Sequence, residues 1–198
     1  LGKYITAKTR LVSVIHQSNV FGTVNPIKDI VKQAHDVGAL VLVDGAQSVP
    51  HHRVDVSQMD CDFFAFSGHK MLGPTGVGVL YARPEILDKM NPFMGGGEMI
   101  REVTLEKSTW NDIPWKFEAG TPNIAQVIGL GCAIDYLENL GMDTIAEYER
   151  GLLFYAQRKL EDIPGLTFYG KAEEKGAVIS FNIENIHPHD VAHILDTS

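Results

Sequence analysis

Asp44 and Lys70 stand 26 positions apart, each just downstream of an apolar run that breaks abruptly into polar residues. The first run is Val41-Leu42-Val43, followed by Asp44-Gly45-Ala46-Gln47. The second is Phe64-Ala65-Phe66, followed by Ser67-Gly68-His69-Lys70. Short β-branched or aromatic runs of this kind read as buried parallel strands. In an open α/β sheet the ligand crevice lies outside the carboxyl ends of such strands. One crevice then receives Asp44 and Gln47 from one strand, and Ser67, His69 and Lys70 from the next. A lysine beside a carboxylate in that position is what pyridoxal phosphate chemistry requires. The amine condenses with the aldehyde, and the carboxylate keeps a proton on the ring nitrogen so that the ring accepts electrons.

The neighbours fit the same chemistry. Ser67 and His69 supply donors for a phosphate, with Gly68 letting the backbone approach. Gln47 is placed for a ring hydroxyl and Ala46 for packing on a ring face. Taken singly, each residue has a plainer meaning: a solvated lysine, an Asx turn or N-cap at Asp44, a Ser-Asn turn at Ser18-Asn19. Asn19 ends another strand pattern, through His16-Gln17-Ser18, and shares the crevice if that strand is adjacent. It is the pairing of Asp44 with Lys70 that favours catalysis. His187, His189 and His193 cluster, the last two spaced for one helix face, but no cysteine or carboxylate pattern completes a metal set, so no metal is expected. Arg101, in a Gly-rich loop, reads as a surface arginine before a substrate clamp.

These residues need strands and helices in alternation. Thr9–Ile15 reads as a strand. Asn25-Pro26 then opens a helix, as N-cap and first helical residue, with Ile27, Ile30, Val31, Ala34 and Val37 on one face and Gly38 as its stop. Residues 39–43 and 61–66 are the next strands. Residues 76–81 form a fourth, antiparallel because only a short Gly/Pro turn precedes it. The pattern predicts a largely parallel sheet covered on both faces. Residues 91–120 have loop chemistry. A helix follows over 124–140, through Ile124, Val127, Ile128, Leu130, Ile134 and Leu137. Gly141 ends it, and a capping box, Thr144 to Glu147, opens a second helix with Tyr148, Leu152, Tyr155 and Leu160 as its core face. Strands at 166–169 and 177–183 and a helix from His189 or Asp190 open a smaller α+β unit. The divisions expected are 1–122, 123–162 and 163–198.

Composition bounds the partners. The 198 residues carry 17 Lys+Arg against 25 Asp+Glu, a net charge of −8, and no basic run stands out. That argues against nucleic acid and anionic membrane surfaces. No apolar run nears the length of a membrane span. Two cysteines, Cys61 and Cys132, suit reduced thiols in the cytoplasm, or in an organellar stroma or matrix, better than a disulfide framework. Leu1 is not a methionine and Ser198 directly follows a helical pattern, so the sequence reads as a piece of a longer chain.

Asp44-x-Ala46-Gln47 followed by Ser67-Gly68-His69-Lys70 resembles the class V aminotransferase-like enzymes of fold type I. More narrowly, the motifs Phe-Ser-Gly-His-Lys-Met-Leu-Gly-Pro-Thr-Gly over 66–76, Gly-Gly-Gly-Glu-Met-Ile over 95–100 and Phe-Glu-Ala-Gly-Thr-Pro over 117–122 look like those of SufS-type (group II) cysteine desulfurases. The resemblance runs from Leu1 to Ser198. It implies the large domain of a fold-type I pyridoxal phosphate enzyme and the start of its small C-terminal domain. Lys70 becomes the Schiff-base lysine, Asp44 the partner of the pyridinium nitrogen and Gln47 that of the ring oxygen. Ala46 packs on the ring, while Ser67 and His69 hold the phosphate. Thr121 donates to the phosphate of the other subunit's cofactor, which implies a homodimer, and Asn19 lies near the ring oxygen and the substrate carboxylate. The implied reaction takes sulfur from L-cysteine as an enzyme persulfide, releases L-alanine and passes sulfur to a SufE-like acceptor for iron–sulfur cluster assembly. In that family the attacking cysteine and the carboxylate-clamping arginine lie beyond the last residue here, and part of the cofactor cup lies before Leu1. By that likeness these 198 residues alone lack desulfurase activity. A selenocysteine lyase or another class V relative stays open, as does a non-catalytic scaffold.

Overall fold

The sheet that carries the paired strand ends has four strands in the order β1-β2-β3-β4. The computed structural model describes residues 2–197; Leu1 and Ser198, the ends from which the sequence reads as a piece, lie outside the described residues. β1 (Leu11–Ile15), β2 (Leu40–Asp44) and β3 (Phe63–Ser67) run parallel. β4 (Gly78–Ala82) lies antiparallel to β3, as its short connection dictates. The parallel connections are made by α1 (Ile27–His35) between β1 and β2, and by α2 (Val56–Met59) between β2 and β3. Asp55 caps α2, its Oδ1 accepting from the Ser57 hydroxyl and from the amides of Gln58 and Ser57, and these bonds, the hydroxyl's first, hold its carboxyl below the usual range.

α1 packs the stripe Ile27, Ile30, Val31 and Ala34 on one face of the sheet, against Val41, Val43 and Phe64. Gly38, at φ 77°, turns the chain back so that Ala39 N donates to Ala34 O and β2 begins. Asn25 does not cap α1 through its side chain, as the sequence suggested. Its Nδ2 donates 2.8 Å to Ile15 O and closes the end of β1 instead. Below the sheet's amino end, buried Asp62 gathers three partners: His35 Nε2 at 2.8 Å, the Val41 amide at 2.7 Å and Arg83 Nε at 3.3 Å. Removing that carboxylate would take the acceptor from the Val41 amide and the nearest partner from His35, while Arg83 keeps Asp60 and the Cys61 carbonyl.

Among the described residues helices cover one face of the sheet, and the other face is exposed. α4 (Ile124–Leu140) brings Leu130 and Leu137 to Met71 and to Phe66, which lies on the same face as Val41, Val43 and Phe64. The opposite face carries Leu11, Ile15, Leu40 and Leu80, which are 52, 41, 37 and 57% exposed. The apolar alternation is continuous on both faces, so the pattern alone could not tell a covered face from an open one.

α5 (Met142–Glu161) starts at Met142, with Gly141 before it, two residues ahead of the proposed capping box; Thr144 therefore lies inside the helix. Its inward residue is Leu153, flanked along the same stripe by the half-buried Met142, Ile145 and Glu149. Tyr148, Leu152 and Tyr155, expected in the core, sit one position off that stripe and are exposed, and Leu160 is only half-buried. α3 (Pro84–Lys89) follows β4, and the segment 91–120 read as loop contains the hairpin β5 (Ile100–Val103) and β6 (Ser108–Trp110). Met99, immediately before that hairpin, is fully buried. The chain ends in the antiparallel pair β7 (Leu166–Tyr169) and β8 (Ser180–Ile183) and in α6 (Pro188–Asp196). His187 caps α6, its Nδ1 accepting from the His189 amide, so this histidine is engaged in capping.

Candidate active site

β2 and β3 are neighbours in parallel register, with Asp44 opposite Ala65, so Asp44 and Ser67 share a face two residues apart along the sheet. It is the open face. Asp44 ends its strand with both backbone and side chain committed: its carbonyl accepts from His16 N at 2.8 Å, and its Oδ1 accepts from Ala46 N at 2.9 Å. The second oxygen, Oδ2, is left for a ligand on this exposed carboxylate. Gly45 is fixed by its neighbours. A Cβ there would lie 2.0 Å from Phe64 Cζ, and Gly45 N donates to Ala65 O. The turn that follows carries Ala46 and Gln47, both half-buried, and is closed by Ser48 and Val49 amides on Gly45 O.

β3 leaves the sheet through a single 3₁₀ turn, Gly68–Met71. Gly68 N donates to Val77 O and Gly73 N to Gly68 O, and a Cβ on Gly68 would meet the Val77 side chain at 2.7 Å. The turn closes at Leu72, whose φ of 65° is left-handed. A non-glycine residue held there costs about 1–3 kcal/mol, and Leu72 is 64% exposed, so its own packing does little to offset it. His69 and Lys70 stand exposed on this rigid turn, beside the half-buried Ser67. A phosphorylated pyridine aldehyde suits this donor set: a carboxylate for the ring nitrogen, an amine for the aldehyde, and hydroxyl and imidazole donors beside a glycine whose backbone has no room for a side chain.

Asn19 lies in the loop after β1, and His16 of the same loop is bonded to the end of β2. Ser18 Oγ accepts from the amides of Val20 and Phe21, so the Ser-Asn turn is present and holds Asn19 at its exposed tip. Thr121 is exposed too, in a turn fastened at two points: Gly120 N donates to Gly97 O, and Asn123 Nδ2 donates 2.7 Å to Gly76 O. Arg101 is paired across its hairpin with Asp112 at 2.7 Å, in keeping with its reading as a surface group. Cys61 is buried, and burial pushes its thiol above the ordinary range. Cys132 is exposed on α4. Sequence reasoning missed Lys116, which is buried with its Nζ donating to the carbonyls of Leu87 and Asp88.

His16 supplies a titration marker close to this site. Burial, and then the nearby His52, push its imidazole down to about 4. Burial also lowers His52, whose Nε2 lies 2.5 Å from Gln17 Oε1. A histidine with a lowered folded-state pKa binds fewer protons folded than unfolded, so stability rises with pH across the interval between the two values. We expect unfolding free energy to fall as pH drops from 6.5 towards 4, by up to about 3 kcal/mol from His16 alone. Urea titrations at pH 7, 5.5 and 4.5 would show a shallower decline for His16→Gln. An identical decline in the variant would remove His16 as its source.

The architecture is that of an α/β enzyme domain with a lysine and a carboxylate at adjacent parallel strand ends. The sequence model of the aminotransferase class-V family matches residues 1–198, and the chain belongs to that family. It is 55% identical over 194 residues to a probable cysteine desulfurase of Halalkalibacterium halodurans, covering 98% of this chain and 48% of that protein. The apo structure of a cysteine desulfurase from Thermococcus onnurineus superposes with a TM-score of 0.93 at 41% identity, over 99% of this chain and 49% of the other. A lysine-to-alanine mutant of C-DES, with glycine covalently linked to its PLP cofactor, superposes with a TM-score of 0.85 at 25% identity, over 99% and 53%. The chain thus spans about half the length of the curated relatives it matches. Among the described residues no helix is long and apolar enough to cross a membrane.

Proposed function

We propose that the intact protein carrying this chain is a pyridoxal phosphate-dependent cysteine desulfurase. The observation that carries the reading is the delivery of Asp44 and of Ser67, His69 and Lys70 from adjacent parallel strands, within a chain whose relatives and structural neighbours are cysteine desulfurases. Residues 1–122 form the cofactor-carrying part, 123–162 the connecting helices and 163–198 the opening of a small C-terminal unit.

Bound pyridoxal phosphate supplies an electron sink conjugated to the substrate's Cα. The chain's own residues do the rest. Lys70 Nζ would hold the cofactor through its aldehyde and would serve as the base for the substrate's Cα proton. Asp44 Oδ2 would hold a proton at the ring nitrogen, and Ala46 N, which donates to Oδ1, restrains the carboxylate. The Gln47 amide would donate to the ring oxygen, the Ala46 methyl would pack against the ring, and Ser67 and His69 would donate to the phosphate. Asn19 orients the ring oxygen and the substrate carboxylate. Thr121 reaches the phosphate across a homodimer interface. A thiolate would attack the substrate sulfur: an S–S bond forms as the C–S bond breaks, the bond pair stays on the substrate side at Cβ, and protonation there completes the methyl of alanine. By the likeness to cysteine desulfurases this thiolate belongs to the remainder of the protein, and neither the buried Cys61 nor Cys132 on α4 matches it. Sulfur then passes to a SufE-like acceptor for iron–sulfur cluster assembly, and two free thiols suit a cytoplasmic setting.

The test is product analysis of the intact, cofactor-loaded protein with L-cysteine. Alanine formed in step with protein-bound sulfane sulfur is expected. Pyruvate and ammonia in place of alanine would make the protein a C–S lyase and overturn the reading. Faster turnover of L-selenocysteine than of L-cysteine would make it a selenocysteine lyase.

A further inference from the structure

The loop that carries Asn19 is held by a strap from the far end of the chain. Val24 N donates to Glu174 O and Gly176 N to Gly22 O, each within 3.0 Å, and Thr23 pairs with Lys175 in an antiparallel bridge. Ser180 Oγ donates to the carbonyl of Val20, the residue that follows Asn19. Three glycines mark where the two backbones touch. A Cβ on Gly22 would lie 2.9 Å from Gly176 O, and one on Gly170 would lie 2.7 Å from Phe21 Cβ. One on Gly176 would lie 2.4 to 2.6 Å from the Gln17 amide group. Gln17 has no room to yield: it is 2% exposed, and His52 contacts its Oε1.

The contacts bracket Asn19 on both sides, at Gln17, Val20, Phe21, Gly22 and Val24, whereas the asparagine itself is exposed. The strap fixes the backbone on either side of a side chain that reaches outwards. Hydrogen-bonded loops held in this way lose little further entropy when a ligand binds their tip. The geometry points to Gly176 and Ser180 as positioning residues for Asn19, so that the C-terminal segment 170–180 sets how well the cofactor's ring oxygen and the substrate carboxylate are held. This rests on the reading of Asn19 given under the proposed function.

The test is a double-mutant cycle in the intact protein, read by titrating pyridoxal phosphate through its absorbance and by the KM for L-cysteine. Gly176→Ala forces Gln17 aside, and Ser180→Ala deletes one hydrogen bond and leaves the backbone alone. Each is expected to weaken cofactor binding roughly 3- to 10-fold and to move the absorbance maximum of the bound cofactor. In an Asn19→Ala background each should change the affinity by less than about twofold. Effects of equal size with and without Asn19 would overturn the proposal, as would unchanged cofactor binding in Ser180→Ala. The Ser180 arm decides the matter if Gly176→Ala does not fold. Should Asn19→Ala alone leave affinity, absorbance and KM unchanged, the role given to Asn19 itself fails, and that result is distinct from a failure of the strap.

Discussion

Lys70→Ala is expected to lower the rate of alanine formation from L-cysteine by roughly 10³- to 10⁴-fold, with the melting temperature and far-UV spectrum unchanged. The side chain is exposed, and the turn beneath it is held by backbone bonds from Gly68 to Val77 and from Gly73 to Gly68. Deleting the amine therefore removes chemistry without removing a contact of the fold. Lys70→Arg should be nearly as inactive, because a guanidinium keeps its proton at any working pH and cannot act as a base. Cofactor bound to either variant should be lost on dialysis, since no amine remains at this turn to hold the aldehyde. Turnover within about tenfold of the unaltered protein would show that Lys70 is not the reacting amine. The scaffold reading, in which this lysine has no role, would then gain ground.

Gly45→Ala should have the largest effect on stability. The new methyl would sit 2.0 and 2.4 Å from Phe64 Cζ and Cε1, and Phe64 is only 2% exposed. The backbone cannot retreat either, since Gly45 N is bonded to Ala65 O and Gly45 O accepts from Ser48 and Val49. Overpacking a core in this way costs about 3 kcal/mol, which for a chain of this size is a fall in Tm of roughly 6 to 12 °C. Calorimetry would measure it, and Phe64→Leu in the Gly45→Ala background should restore part of the loss. A Tm within about 2 °C of the unaltered protein would mean that the end of β2 moves freely, and that the placement of Asp44 is softer than its bonds indicate.

The strand ends were legible because their signal is local: an apolar run, a sharp break, and a polar residue at the break. The same holds for α1, whose stripe and terminal glycine sit together in sequence. Legibility failed where the deciding partner is remote. The face that α5 buries is chosen by what packs against Leu153, and the tyrosines one position away are equally suited to a core by type. Lys116 reads as a loop lysine until Leu87 and Asp88 bring their carbonyls to it. The hairpin β5–β6 is mostly exposed, so it has no apolar alternation to betray it. Gly176 carries no local sign of its purpose, because Gln17, the side chain that excludes a methyl there, is 159 positions away.

The face of the sheet that is exposed among the described residues has a practical consequence for work at the bench with these 198 residues alone. Leu11, Ile15, Leu40 and Leu80 form a plane that water wets poorly, and two copies meeting there would shield it from both. Protein concentration is therefore a variable of any assay on these 198 residues. Dilute samples report on the single chain, while concentrated ones invite self-association, turbidity and dye binding that owe nothing to the chemistry at Lys70. Adding a mild detergent, or comparing sedimentation at two loadings, separates the two kinds of signal before either is assigned to the site.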